Sequence, residues 1–197
     1  SLDVTYQELS PTGTTPGTIT FNELNGDFFG LTNRPRNGRT VFQRQGSRMT
    51  RRDWMREALA LAKQAQLAGE VPVGAVVVHE GNIVARARNE RETTGDPTAH
   101  AEVLALRRAA AALGRRRLKG CTLVVTLEPC PMCAGAITMS GIDEVLFGAY
   151  DPRCGCAGSL YNLPEDAAFG RVIPCSGGLL EAECQGMLDA FFDSRRG

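Results

Sequence analysis

Two short motifs, thirty residues apart, hold side chains of the kinds that bind transition metals. His100-Ala101-Glu102 opens one predicted helix, and Cys130 and Cys133 lie at the start of another, directly after a predicted strand. Residues three apart lie on one face of a helical turn, and the positive end of the helix dipole favours a thiolate. Zinc accepts sulfur and nitrogen ligands in tetrahedral geometry, so one histidine and two cysteines leave a fourth position for water. The spacing therefore predicts zinc at His100, Cys130 and Cys133.

Glu102 is the residue that favours catalysis at such a site. It lies two residues from His100, which is not ligand spacing on one helix face, but it is well placed to reach a water on the metal. A carboxylate there can take a proton from the water and return it to a leaving group. The predicted chemistry is metal-assisted hydrolysis.

Other interpretations of the same residues stay open at this point. A lone Cys-x-x-Cys is as often redox-active or structural as catalytic, and His100 alone would be an ordinary polar helix residue. Cys154 and Cys156 could supply a fourth ligand and make the site structural. A thioredoxin-like motif would leave the His-x-Glu sequence without an explanation, so Glu102 favours the catalytic interpretation.

Composition limits the class of protein. A length of 197 residues indicates one domain with room to spare, or one domain plus an appendage, and 43% hydrophobic and 22% charged residues exclude a chain that is disordered throughout. No apolar run is long enough for a membrane-spanning helix, and basic and acidic residues balance, so any RNA contact must be local. The start of the sequence shows no targeting pattern, and the seven cysteines all follow residue 120, unlike a disulfide scaffold. We expect a cytoplasmic protein without a membrane partner.

Periodicity predicts the elements that must position the two motifs. Helical spacing and strand-like runs alternate after residue 49, and the order indicates a mixed sheet flanked by helices. The predicted helices cover 50–67, 99–112, 131–140 and 180–194, and the predicted strands cover 71–78, 83–87, 121–127, 144–149 and 172–174.

Residues 1–48 differ from the rest of the chain. They hold no Lys, Cys or Met, and they carry four of the eight Phe. Alternation over 18–21 and the turn dipeptides Asn25-Gly26 and Asn37-Gly38 predict a hairpin or small β-meander. Met49-Thr50 looks like a natural start before the first helix. We therefore expect an N-terminal extension or fused segment of unknown role over 1–48, and the metal-site domain over 49–197.

A His-x-Glu motif followed by Pro-Cys-x-x-Cys is similar to the signature of zinc-dependent nucleoside deaminases. With its flanking segments, the region 54–196 resembles the bacterial tRNA-specific adenosine deaminase family. The supporting segments are Glu70-Val71-Pro72-Val73-Gly74-Ala75-Val76, Asp96-Pro97-Thr98-Ala99-His100, Thr126-Leu127-Glu128-Pro129-Cys130, Met132-Cys133-Ala134-Gly135-Ala136, Phe147-Gly148-Ala149, Gly158-Ser159-Leu160 and Phe191-Phe192.

The resemblance implies an α/β, cytidine-deaminase-like three-layer αβα fold with a five-stranded mixed sheet, preceded by the extension of uncertain, β-rich character. It implies hydrolysis of adenosine to inosine at the first anticodon position of tRNA by a zinc-activated water, with Glu102 moving the proton. A base must leave its stack to be deaminated, which costs less in an anticodon loop than in a duplex. The partners it implies are a tRNA anticodon arm and a second copy of the chain.

Substrate contacts are also implied by the resemblance. Asn89 matches a position that contacts the target nucleoside, although an Asn there can simply turn the chain after a strand. Asp151 precedes a proline and has an ordinary turn role as well. The full implied set is Asn89, Ala101, Pro129, Tyr150, Asp151, Phe192, Arg195 and Arg196.

Two other functions remain open on the sequence. Residues 49–197 carry slightly more acidic than basic side chains, which is unusual for an RNA-binding protein and leaves room for a smaller substrate. One alternative is therefore a deaminase of a free base or nucleoside, such as guanine, cytosine or cytidine. The other is a zinc protein that binds RNA or has a structural role without catalysis.

Overall fold

The computed structural model describes residues 2–10, 13–21 and 48–196. The chain divides into two compact units, Ser1–Arg48 and Met49–Gly197. In the first unit, strands β1 (Leu2–Ser10) and β2 (Gly13–Phe21) pair antiparallel. The predicted strand at 18–21 falls within β2, whereas the turns predicted at residues 25–26 and 37–38 lie outside the described residues.

The second unit contains a five-stranded mixed sheet in the order β4-β3-β5-β6-β7. Strand β3 pairs antiparallel with both β4 and β5, and β6 and β7 continue the sheet parallel to β5. The strands are β3 (Gly74–His79), β4 (Asn82–Arg88), β5 (Cys121–Leu127), β6 (Glu144–Ala149) and β7 (Cys175–Ser176). The helices are α1 (Arg51–Leu67), α2 (Arg91–Thr94), α3 (Ala101–Ala112), α4 (Pro131–Ser140) and α5 (Glu181–Asp193), with a short 3-10 turn at Ala167–Phe169.

Helices cover both faces of this sheet. Residues of α1 and α5 share one hydrophobic cluster, and residues of α3 and α4 share the other. Strand β3 is buried on both faces of the sheet. Ala75 and Val77 point into one cluster, and Val76 and Val78 point into the other. A strand buried on both sides reads as a continuous apolar run. The expected three-layer αβα fold is confirmed.

The start of α1 follows from its sequence. Thr50 Oγ1 accepts a hydrogen bond from the backbone of Asp53 at 3.3 Å, and Asp53 Oδ2 accepts one from the backbone of Thr50 at 2.9 Å. This reciprocal pair satisfies two N–H groups that the first helical turn leaves unpaired. The helix then packs so closely on β3 that a Cβ at Gly74 would lie 2.0 Å from the carbonyl oxygen of Ala58. Only glycine fits there.

The elements differ from the sequence predictions in several places. Strand β3 begins at Gly74 rather than at residue 71, because the N–H of Val73 bonds to Val71 O across Pro72 in a tight turn. The last strand lies at Cys175–Ser176, just after Pro174, which has no N–H to give to a sheet. Helix α2 was not predicted. Within residues 48–196 and the two N-terminal strands, no helix is long and apolar enough to cross a membrane.

Candidate active site

The predicted metal ligands come from the starts of two neighbouring helices. His100 is the residue before the first turn of α3, with extended backbone angles of φ −75° and ψ 148°. Cys130 holds the same place before α4, and Pro131 begins that helix without needing a backbone N–H partner. Cys133 lies in the first turn of α4. The two helices contact each other on one face of the sheet, which brings the three side chains together.

Distances among the three ligand atoms fit a zinc ion. His100 Nδ1 lies 3.7 Å from Cys130 Sγ and 3.4 Å from Cys133 Sγ, and all three atoms lie within 4.8 Å of one another. Tetrahedral bonds of about 2.0 Å to nitrogen and 2.3 Å to sulfur put such atoms roughly 3.5 Å apart. Within the described part of the chain, Cys154 and Cys156 lie outside this cluster. The donor set is therefore one imidazole and two thiols.

Hydrogen bonding prepares these groups for a cation. The bond from Cys133, together with the nearby His100, lowers the pKa of Cys130 to about 4 despite partial burial. The pKa of Cys133 is raised because its thiol donates to Cys130 and is buried, and the pKa of His100 is raised mainly by its hydrogen bond with Cys130. A bound metal ion takes the place of the shared protons.

Glu102 is buried beside the cluster. Only 4% of the residue is exposed, although it lies in the first turn of α3, two residues after His100. Burial raises the pKa of its carboxyl group, and this effect outweighs the attraction of His100. A carboxyl group with a raised pKa holds a proton more readily than an exposed one, which suits general acid-base chemistry.

A cavity of about 800 Å³ opens beside these residues. Its walls come from the segment after β4, the end of β5, the loop after β6 and the last helix. The expected site residues in its wall are Asn89, His100, Glu102, Cys130, Tyr150, Asp151, Phe192, Arg195 and Arg196. Cys133 lies buried behind the wall.

Two residues of the implied substrate set do not line the cavity, and their backbone groups are already bonded. Ala101 is fully buried, and its N–H donates to Asn89 Oδ1 at 2.9 Å. Pro129 offers its carbonyl oxygen to the N–H of Cys156 at 2.8 Å. Each of these two backbone groups therefore has a partner within the chain.

Asn89 has two polar side-chain atoms with different contacts. It directly follows β4 and is 6% exposed, and its Oδ1 holds the first N–H of α3. Its amide nitrogen makes no hydrogen bond within residues 48–196, and the residue lines the cavity. The oxygen therefore anchors the helix that carries His100, while the nitrogen is available to a ligand.

The loop after β6 presents Tyr150 and Asp151 differently. The Tyr150 ring packs edge-on against Phe147, with centroids 5.0 Å apart, and leaves nearly half of the residue exposed. The Asp151 carboxylate accepts from the backbone of Arg153 at 2.9 Å and from the Cys154 thiol at 3.3 Å. Asp151 thus makes the turn that its Asp-Pro sequence indicates, at the cavity wall.

At the end of the chain, Phe192 and Arg195 join the last helix to the site. The Arg153 guanidinium lies 5.7 Å from the centre of the Phe192 ring, so the β6 loop and α5 meet at the cavity wall. Arg195 stacks on Phe191 at 4.3 Å and donates to the carbonyl oxygen of Gly69 at 2.5 Å. Arg196 is exposed and lies 3.8 Å from Asp193.

Sequence reasoning missed several cavity residues. Arg91 and Arg153 lie two residues after Asn89 and Asp151, so proximity to those positions was the available signal. On α5, the spacing of three and four residues places one face of the helix against the cavity. The missed residues in the wall include Val71, Val73, Arg91, Glu128, Arg153, Gln185, Leu188 and Asp189.

Comparison with known proteins agrees with this geometry. Residues 48–149 match the cytidine and deoxycytidylate deaminase zinc-binding region. The tRNA-specific adenosine deaminase of Bacillus subtilis strain 168 is 52% identical over 143 residues, which cover 73% of this chain and 89% of that protein. The Haemophilus influenzae tRNA-specific adenosine deaminase is 45% identical over 143 residues, which cover 72% of this chain and 83% of that protein.

A solved structure from a study of A-to-I editing by wobble-position tRNA deaminases is also similar. It is 40% identical with a TM-score of 0.66, and the match covers 68% of this chain and 98% of that one. The chain therefore belongs to the cytidine and deoxycytidylate deaminase family of zinc enzymes and, within it, to the tRNA-specific adenosine deaminases.

Proposed function

We propose that this chain converts adenosine to inosine at the wobble position of tRNA by hydrolysis. The observation that carries the proposal is the buried carboxyl group of Glu102, which lines the same cavity as His100 and Cys130 of the His100, Cys130 and Cys133 donor set. Relatives named for tRNA adenosine deamination match most of the chain at up to 52% identity. Water and adenosine give inosine and ammonia.

In the proposed mechanism, His100, Cys130 and Cys133 hold zinc. Zinc bound there supplies a Lewis acid that lowers the pKa of water towards about 7, so that a nucleophile is available at neutral pH. Glu102 accepts the proton that the water gives up and delivers it to the exocyclic amine, which leaves as ammonia. Burial of Glu102 keeps bulk water from competing for that proton. The amide N–H of Asn89 donates a hydrogen bond to the base and so orients the base.

The cavity walls suit a single-stranded RNA loop. Four arginines lie at the wall, namely Arg91, Arg153, Arg195 and Arg196. Their guanidinium groups can bind phosphates, although the carboxyl groups of Glu102, Glu128, Asp151 and Asp189 lie in the same wall. Tyr150 offers an exposed ring on which an unstacked base can lie. We therefore propose the tRNA anticodon arm as the substrate and the cytoplasm as the compartment.

A homodimer is part of the proposal. Met139 at the end of α4 is 81% exposed, and Phe169 and Val172 are each more than half exposed. Arg171 ties their segment to the end of α4 by donating to Gly141 O at 2.9 Å, so these exposed apolar side chains come from linked segments. Large exposed apolar side chains can pack on a partner surface, and a second copy is the commonest partner. Light scattering should give twice the chain mass, and Met139→Glu should give a monomer.

Incubation with an anticodon stem-loop tests the substrate. We expect inosine from a stem-loop with adenosine at the first anticodon position and none from the same loop with guanosine there. Free adenosine, cytidine, cytosine and guanine should react at least about a hundredfold more slowly. Deamination of a free base or nucleoside at the rate of the stem-loop would favour the small-molecule alternative.

A further inference from the structure

Glu128 is a buried carboxylate that the proposed chemistry does not use. Only 2% of the residue is exposed, and it lies between the end of β5 and the metal ligand Cys130. A buried charge is stable only when hydrogen bonds replace its water. Its partners therefore indicate what the residue does.

All of those partners belong to one loop. Glu128 Oε2 accepts from the N–H of Asp151 at 2.9 Å and from the hydroxyl of Ser159. Glu128 Oε1 accepts from the N–H groups of Ala157 at 3.0 Å and Ser159 at 2.8 Å. Every partner is a donor, which an ionised carboxylate satisfies completely. The carboxylate thus occupies the interior of the loop that follows β6.

Packing at Gly155 shows that the loop is shaped around this carboxylate. A Cβ at Gly155 would lie 2.2 Å from Glu128 Oε2 and 2.6 Å from Asp151 O. Real side chains do not approach so closely, so only glycine permits this arrangement. A further bond from Cys156 N–H to Pro129 O, at 2.8 Å, fastens the same loop beside Glu128.

The held loop forms one wall of the substrate cavity. Tyr150 and Arg153 project from it into that wall, on either side of the N–H that Glu128 binds. Arg153 contacts Phe192 of α5 at the same wall. We propose that Glu128 is a positioning residue, which holds residues 150–159 so that Tyr150 and Arg153 contact the substrate. This inference rests on the proposed function for the identity of the substrate.

Glu128→Gln tests the role with little change of shape. Each carboxylate oxygen accepts from a backbone N–H, so whichever way the amide is turned, its NH₂ group faces a donor. Losing a hydrogen bond to a buried charged group typically changes an equilibrium by tenfold or more. We expect KM for the anticodon stem-loop to rise at least about tenfold, with kcat changed less than about threefold and one zinc per chain retained.

Hydrogen exchange gives a readout that does not depend on the substrate. In Glu128→Gln, amides of residues 151–159 should exchange at least about tenfold faster, while those of α1 keep their rates. If the wild-type protein does not deaminate the stem-loop, the proposed function fails but the exchange result still tests Glu128. Unchanged exchange, an unchanged KM, or loss of zinc would each overturn the positioning role.

Two further variants test the same contact by other routes. Gly155→Ala should reproduce the KM effect, and combined with Glu128→Gln it should raise KM by less than the product of the two single effects, because both disturb one contact. Gly186→Ala is the matched control, since nothing lies within 4 Å of a Cβ there.

If Glu128→Gln does not fold, Ser159→Ala removes only the hydroxyl bond and should raise KM about threefold. Full additivity, or an unaffected Ser159→Ala protein, would contradict the inference.

Discussion

The backbone N–H of Ala101 donates a 2.9 Å hydrogen bond to the side-chain oxygen of Asn89, twelve residues earlier in the chain. Ala101 is the first residue of α3, and His100 immediately precedes it. The Asn89 side chain therefore fixes the start of the helix that carries a proposed zinc ligand. The Asn89 oxygen bonds to the start of α3, and its nitrogen is proposed to bond to the substrate. Substitutions can test the two atoms separately.

Asn89→Asp should keep zinc and lose activity. Aspartate retains an oxygen for the Ala101 N–H, and its negative charge suits a helix N-terminus. It has no amide nitrogen, so a substrate acceptor is left unpaired, which typically costs about 1–3 kcal/mol. We expect kcat/KM to fall about tenfold to a hundredfold with one zinc per chain. Asn89→Ala should in addition bind zinc more weakly, and Asn82→Ala, in the exposed β3–β4 turn, should change neither quantity.

Glu102→Gln should keep the fold and zinc while turnover falls about a hundredfold or more. Glutamine has nearly the same shape but cannot carry the proton, and general acid-base help is typically worth about 10² to 10⁴ in rate. Single-turnover rates on the anticodon stem-loop, with zinc measured on the same sample, check this. An undiminished rate would remove Glu102 from the mechanism, and exposed Glu57→Gln serves as the control.

Cys130→Ala should abolish zinc binding, because one imidazole and one thiol remain of three ligands. Cys154→Ala is the matched comparison, since Cys154 lines the same cavity but bonds to Asp151 rather than joining the ligand cluster. Metal analysis should give less than about a tenth of a zinc per chain for Cys130→Ala and one for Cys154→Ala. Zinc retained without Cys130 and lost without Cys154 would reassign the site.

A feature could be predicted from the sequence when the residues that form it lie close together along the chain. The Thr50 and Asp53 cap spans three residues, and the strand and helix periods are equally local, so the main elements and the fold could be predicted. Helix α2 could not be predicted in this way, because its N–H groups bond to Glu70, more than twenty residues earlier in the chain. Backbone contacts that occupy Ala101 and Pro129 also depend on tertiary structure. The three proposed metal ligands could be predicted from the sequence, because residue type and spacing at the helix starts are enough to suggest them.

Residues 1–48 should be dispensable for chemistry. Among the residues that the structure describes, those that line the cavity all lie between Val71 and Arg196, within the second compact unit. A protein that begins at Met49 should therefore fold, bind one zinc per chain and deaminate the stem-loop within about twofold of the full chain. Circular dichroism and zinc analysis establish the first two points. A folded, zinc-loaded protein without activity on any substrate would show that the first 48 residues take part.

Glu70→Gln should destabilise the protein at neutral pH and not in acid. Burial acts to raise the pKa of Glu70, but hydrogen bonds from Thr93 and from the first N–H groups of α2 outweigh it and lower the pKa below 4.5. Thr93 donates from its backbone at 2.7 Å and from its hydroxyl at 2.8 Å. Hydrogen bonds to a charged group are worth about 1.5–3 kcal/mol, which corresponds to roughly 5 °C in Tm for a domain of this size.

The pH dependence of that difference gives the decisive measurement. A carboxyl group whose pKa is lower when folded contributes stability that is fully present above its unfolded pKa and is lost as pH falls through the folded value. The Tm difference between wild type and Glu70→Gln should be constant above about pH 6, shrink as pH falls below 4.5, and vanish once the folded carboxyl is protonated. Effects of acid on the metal ligands are common to both proteins and cancel.

Glu57→Gln, whose ion pair with Arg86 is exposed, should show almost no difference at any pH. A Glu70→Gln difference that stayed constant into acid would mean that Glu70 holds α2 through its shape rather than its charge.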